Sequence, residues 1–158
     1  MKTAELLVRC LQAEGVDHVF GIPGEENLEV MDAIHQAGLH FVLTRHEQAA
    51  ACMAGTVGRL TGRPGVCLST LGPGATNLVS GVADAYLSNL PMIALVSQAG
   101  EARRNPPQKQ VLDLVAMFRP LAKKVLDVNN PQELPATVRR AFALAGRERT
   151  GPVVLQLP

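Results

Sequence analysis

The stretch Val66-Cys67-Leu68-Ser69-Thr70, with Gly72-Pro73-Gly74 behind it and Met92-Ile93-Ala94-Leu95-Val96-Ser97 further on, decides the fold. Two short apolar runs flank a mostly uncharged helical segment, Ala75 to Leu87, and Pro91 introduces the second run. Strand, crossover helix and strand make a βαβ unit, whose parallel strands are expected to be buried on both faces. The same alternation continues outward. Leu6, Leu7, Cys10 and Leu11 line one face of a first helix that Gly15 closes, and Val16 to Phe20 reads as a strand ending at Gly21-Ile22-Pro23-Gly24. Helical spacing resumes from Asn27 to Gln36, Phe41-Val42-Leu43 is a strand, and a helix follows from His46 to Leu60. Thr44 is the expected N-cap of that helix, with Glu47 at capping-box spacing. Beyond Ser97 the reading is an exposed loop at Gly100 to Gln108, a short helix at Val111 to Phe118 and a strand at Leu121 to Val128. A loop at Asn129-Asn130, a last helix from Pro131 to Ala145 and a final strand from Val153 to Leu157 complete it. The expected fold is α/β: a doubly wound, Rossmann-like, six-stranded parallel sheet with helices on both faces.

A chain of 158 residues fits one domain, residues 1–158, and 47% hydrophobic against 18% charged residues fits a folded protein. Aromatic residues make up only 3%, without tryptophan, and the formal net charge is +1, so neither nucleic acid nor an anionic membrane has a footprint here. Pro64 to Ala83 carries no charge, yet its glycines, proline and hydroxyls read as strand, loop and buried helix rather than a membrane span. The N-terminus enters an amphipathic helix without a signal-peptide core. Cys10, Cys52 and Cys67 sit in apolar surroundings without CxxC spacing, and read as reduced, buried small hydrophobes of a cytoplasmic protein.

In open α/β sheets ligands gather beyond the carboxyl ends of the strands. Three clusters fall there: Gly21-Ile22-Pro23-Gly24, Arg45-His46-Glu47-Gln48 and Gly72-Pro73-Gly74-Ala75-Thr76-Asn77. Singly, the glycine turns are plain connections and Glu47 a helix-capping acid. The chain has no GxGxxG after its first strand, no GxxxxGK[ST], no GxSxG around Ser69, and no HExxH among its four histidines.

Taken together and in order, the three clusters resemble the N-terminal domain of acetolactate synthase and its relatives, the pyruvate-oxidase-like thiamine diphosphate enzymes. The resemblance continues through Asp84-Ala85-Tyr86, Gln110, Asp113-Leu114-Val115, Arg119-Pro120 and Lys123 to Gly151-Pro152-Val153, so it covers nearly the whole chain. It implies that Glu47 is the glutamate that hydrogen-bonds the aminopyrimidine ring of thiamine diphosphate. That bond favours the imino tautomer, which then takes the proton from the thiazolium carbon, a chemistry suited to a carboxyl group in a dry cleft. It further implies that Pro23 and Gly24 form a turn open to the pyrimidine, that Thr70 and Asn77 are its neighbours, and that Gln110 and Lys123 lie on the substrate side.

The biosynthetic acetolactate synthases usually carry a second glycine where this chain has Glu25, and Phe-Gln-Glu where it has Lys109-Gln110-Val111, so the substrate pocket is expected to differ. Members of the family bind Mg²⁺ and the diphosphate through a Gly-Asp-Gly…Asn-Asn motif on another domain, and Gly-Asp-Gly is absent here. No metal ligand is therefore expected in this chain, and a diphosphate-binding domain, in the same chain or a partner, is implied. So are a 2-oxo acid substrate and a homo-oligomer, while FAD in the parent enzyme stays open. An ending directly after a strand reads as a fragment of a larger enzyme, inactive by itself. Two alternatives remain open at this point: a separate α subunit of a two-chain 2-oxo acid decarboxylase, and a non-catalytic scaffold domain of the same fold.

Overall fold

Six strands pair side by side, all parallel: β1 (His18–Gly21), β2 (His40–Leu43), β3 (Gly65–Ser69), β4 (Met92–Ser97), β5 (Lys124–Asp127) and β6 (Pro152–Leu157). The computed structural model describes residues 1–104 and 109–157. The strand order is β2-β1-β3-β4-β6-β5. The chain thus leaves β1 toward one edge and β3 carries it toward the other, so β1 and β3 flank a topological switch point.

Right-handed crossovers turn that order into two helical layers. Helices α1 (Thr3–Ala13), α2 (Leu28–Gln36) and α8 (Leu134–Gly146) cover one face, where Leu7, Leu11, Ile34, Val138 and Phe142 meet Leu68, Ile93, Leu95 and Leu155. Helices α3 (Glu47–Thr61), α4 (Pro73–Asn77), α5 (Val79–Leu87) and α7 (Leu114–Phe118) cover the other, around Cys67, Ala94, Val96 and Val154. Every residue of β3 and β4 is buried, as expected for parallel strands roofed on both sides. The uncharged stretch 64–83 is strand, loop and helix, and no helix among the described residues is long and apolar enough to cross a membrane.

Several local expectations need correction. The helix expected from Ala75 to Leu87 is two segments, α4 and α5, because the Leu78 N–H bonds Ala75 three residues back, which tightens the turn between them. The region 100–108 is not all loop: Glu101–Arg104 forms one turn, α6, while 105–108 lie outside the described residues. Thr44 does not cap α3. Its N–H bonds the Gly21 carbonyl and its hydroxyl lies 3.3 Å from that oxygen and 3.1 Å from the His46 carbonyl, tying β2 to the end of β1. His46 caps instead, its Nδ1 accepting from the Gln48 N–H at 3.2 Å. The thiols are all free, but only Cys67 is buried, and desolvation pushes its pKa far up. Cys10 is half-buried and Cys52 is exposed on α3, because the buried stripe of that helix falls on its neighbours Ala50, Ala51 and Ala54.

The seat of α3 is built from small residues. A methyl group on Gly58 would collide with the Pro91 carbonyl at the entry to β4, and one on Gly81 of α5 would lie 2.5 Å from the Ala51 Cβ. Neither backbone position can yield cheaply, since both carry helix or strand hydrogen bonds. Gly58→Ala is therefore expected to lower the unfolding free energy by about 1–3 kcal/mol despite its gain in helix propensity. The midpoint of urea denaturation measures it, and an unchanged midpoint would show that α3 can lift off the sheet freely.

Candidate functional site

The crevice at the switch point is formed by the loops that leave β1, β2 and β3 at their carboxyl ends. After β1 the chain turns through Ile22-Pro23-Gly24 into a short 3-10 helix, Glu25–Asn27. Asn27 holds this turn. Its Oδ1 accepts from the Gly24 N–H at 2.9 Å and its Nδ2 donates to the Ile22 carbonyl at 3.3 Å, with the residue wholly buried. A buried amide must satisfy both ends, so the loop shape and the side chain specify each other. Sequence reading missed this role, because an asparagine before an apolar helix looks like an ordinary start signal.

After β2, Thr44 secures the strand end and α3 begins at Glu47, which is buried with 8% of its surface exposed. After β3, Thr70 leads into Gly72, whose φ of 56° and ψ of −117° suit glycine alone. A side chain there would also strike the Gln110 carbonyl, so this turn and the 109–113 loop pack backbone to backbone. Gln110 itself is exposed and left-handed, with φ 67°.

These loops converge. Asn77, the last residue of α4, donates from Nδ2 to the Glu47 Oε2 at 2.9 Å across 30 residues of chain. Gly74 faces the same place: a Cβ built on it would lie 2.5 Å from the Thr70 Oγ1 and 3.3 Å from the Glu47 Oε1. A Cβ on Gly24 would overlap the Thr70 methyl group. Among the described residues no donor reaches Oε1, so one carboxylate oxygen is held and the other is left beside glycine and threonine. Of the expected residues, the structure therefore gathers Gly24, Glu47, Thr70 and Asn77 into one cluster, with the exposed Pro23 on its rim and Gln110 touching it through Gly72.

Lys123 is not brought there. It precedes β5 at the opposite, amino end of the sheet, where its N–H bonds the Pro152 carbonyl. Its ammonium donates to the Leu144 carbonyl and to the Arg147 carbonyl at 3.1 Å, closing the last turn of α8. The free C-terminal carbonyls of a helix attract a cation, and this lysine serves them.

Residues 1–117 match the family described as thiamine pyrophosphate enzyme, N-terminal TPP binding domain. The chain belongs to that family. As a TPP-binding N-terminal domain it is 44% identical over its whole length to a probable acetolactate synthase large subunit of Methanocaldococcus jannaschii. It is 42% identical over 156 residues to the acetolactate synthase isozyme 3 large subunit of Escherichia coli, and 43% over 155 to an acetolactate synthase of Bacillus subtilis, each covering 98% of the chain. The chain spans about a quarter of these curated relatives, 27% of each.

The lysine contact has a measurable consequence. Lys123→Met keeps the aliphatic stem but leaves two helix-end carbonyls without their charged donor, a kind of bond worth about 1.5–3 kcal/mol. Unfolding free energy is expected to fall by an amount of that order. An unchanged value would show that this ammonium contributes nothing to the end of α8.

Proposed function

We propose that this chain forms the pyrimidine-binding half of a thiamine diphosphate enzyme of the acetolactate synthase type. The reaction is decarboxylation of pyruvate or another 2-oxo acid, with transfer of the two-carbon unit to a second 2-oxo acid. The reading rests above all on one observation: a buried carboxylate at the switch point, anchored through one oxygen and open at the other. Gly24 and Gly74 support it by letting both turns close on Thr70 beside the carboxylate, where an added methyl group would strike that side chain.

When bound, thiamine diphosphate would supply a carbon nucleophile and an electron sink for decarboxylation of a 2-oxo acid. The chain's own contribution is to bind and orient. Glu47 shares a proton, at Oε1, with a ring nitrogen of the aminopyrimidine; Pro23 and Gly24 admit the ring; Thr70 and Asn77 border it. Gln110, beside Gly72, is the residue of this chain assigned to the substrate side. Burial helps because a hydrogen bond to a carboxylate is stronger where water is excluded.

The metal and diphosphate half is assigned to another domain. Among the described residues no three His, Cys, Asp or Glu side chains converge in a way that could hold a metal ion. Mg²⁺, any FAD, and the diphosphate contacts belong in this reading to the part of the relatives that this chain does not span. A homo-oligomer is supported by the exposed Met53 and Leu60 on α3 and Tyr86 and Leu87 on α5, apolar surface that a partner would cover. Free thiols at Cys10, Cys52 and Cys67 fit a cytoplasmic setting.

Two measurements test the proposal. In the intact enzyme, Glu47→Gln should slow hydrogen–deuterium exchange at the thiazolium carbon by about 10²–10⁴-fold, with the fold and most cofactor binding preserved. An unchanged exchange rate would leave Glu47 a structural acid only. In the second, isothermal titration of this 158-residue chain with thiamine diphosphate and Mg²⁺ should show weak binding. Pyrimidine contacts are a few hydrogen bonds, each worth about 0.5–1.5 kcal/mol net, while the charged end is assigned in this reading to a domain the chain does not span. A micromolar, Mg²⁺-dependent affinity would refute the division of the site.

A further inference from the structure

The geometry points to Asn77 as a positioning residue that acts on Glu47 rather than on the cofactor, fixing Oε2 so that Oε1 is the oxygen presented to the ring. This rests on the cofactor reading above and deepens it. An ionised carboxylate only accepts hydrogen bonds, so the Asn77 contact at 2.9 Å has one polarity: the amide nitrogen donates and Oε2 receives. The two side chains come from the first residue of α3 and the last residue of α4. Each is placed by its own helix against the sheet, and the hydrogen bond is where those two placements meet.

A glutamate has three side-chain torsions, and burial alone does not choose which oxygen faces the crevice. Asn77 makes that choice. With Oε2 committed, Oε1 is turned to the side of Gly74 and Thr70, 3.3 Å from the position a Gly74 Cβ would take. The tight turn at Leu78 ends α4 directly after Asn77. Thr76, the other polar residue of this turn, spends its hydroxyl on the Pro73 carbonyl at 2.7 Å and so stays out of the contact.

The rival roles are a direct contact from Asn77 to the cofactor and plain filling of space, and variants separate all three. Asn77→Asp keeps the shape but sets an acceptor against an acceptor, whereas Asn77→Ala removes the group. A donor to Glu47 predicts that the aspartate variant of the cofactor-free chain unfolds at a lower temperature than the alanine variant. It also predicts that Glu47→Gln restores stability to Asn77→Asp, since the glutamine amide can donate to Asp in the reversed sense, giving a non-additive four-corner cycle. Space filling predicts the opposite order, aspartate above alanine, and additive effects; that result would overturn the inference. In the intact enzyme, Asn77→Ala should slow thiazolium exchange at saturating cofactor by about a hundredfold, the scale of a misplaced reacting group, while cofactor affinity holds. Weakened affinity with an unchanged saturated rate would make Asn77 a cofactor contact and overturn its positioning role. If Glu47→Gln itself leaves exchange unaltered while the stability cycle stays coupled, the cofactor reading fails and the pair is a structural bond alone.

Discussion

Helix α3 lies close to the sheet because its inner stripe is Ala50, Ala51, Ala54, Gly55 and Gly58, and this close seat governs the site. Backbone meets backbone on both sides of it. Gly65 at the start of β3 leaves room for the Ala54 carbonyl, and Gly58 leaves room for the carbonyl of Pro91. The crossover that contains α3 must pass from β2 over β1 to reach β3, so the helix begins above the crevice between those two strands. Its first residue is Glu47. A carboxylate at that point is held by the packing of a 15-residue helix rather than by a loop, which keeps its backbone fixed while its side chain is adjusted locally.

Much of this was legible in the sequence, because the dominant signals are local. Runs such as Met92–Ser97, apolar up to the closing serine and introduced by a proline, read as strands buried on both faces, and that strand is found with the expected limits. Glycine and proline clusters marked the loops at the carboxyl ends of β1 and β3 for the same reason. What stayed hidden depends on distant partners. The reach of Lys123 to carbonyls 21 and 24 residues away has no spacing signature, and a lysine beside another lysine looks like solvent-facing surface. Thr44 has the chemistry of an N-cap and even the right interval to Glu47, but its hydroxyl turns to the His46 and Gly21 carbonyls and the His46 ring caps the helix instead. Family resemblance grouped Glu47 with Asn77 as cofactor neighbours, yet only the fold shows that one binds the other.

A buried carboxylate is costly to keep unless its oxygens are hydrogen-bonded, and the form of its compensation is compatible with the proposed role. Purely structural buried acids tend to be matched with a cation or with several donors on both oxygens. Glu47 has one neutral amide on Oε2 and, among the described residues, no protein donor on Oε1. That oxygen is free to accept a hydrogen bond, and under the proposed reading a weakly basic nitrogen heterocycle would supply it.

The same electrostatics give a reason for dividing the site between two domains. A divalent cation placed within a few ångströms of Glu47 would attract its charge strongly in a crevice of low polarity, with an energy that rises as the dielectric falls. Such an ion would lock the carboxylate as a partner and withdraw it from the ring that the proposed reading assigns to it. Under that reading, a metal and diphosphate held on a separate domain would keep the two charged functions at opposite ends of one extended ligand. The chain's few acidic groups near the crevice follow that logic: Glu25 is exposed on the turn after β1, while Glu47 alone is buried there, with a neutral asparagine as its partner. A neutral donor can orient the carboxylate without supplying the counter-charge that would compete with the ring for it.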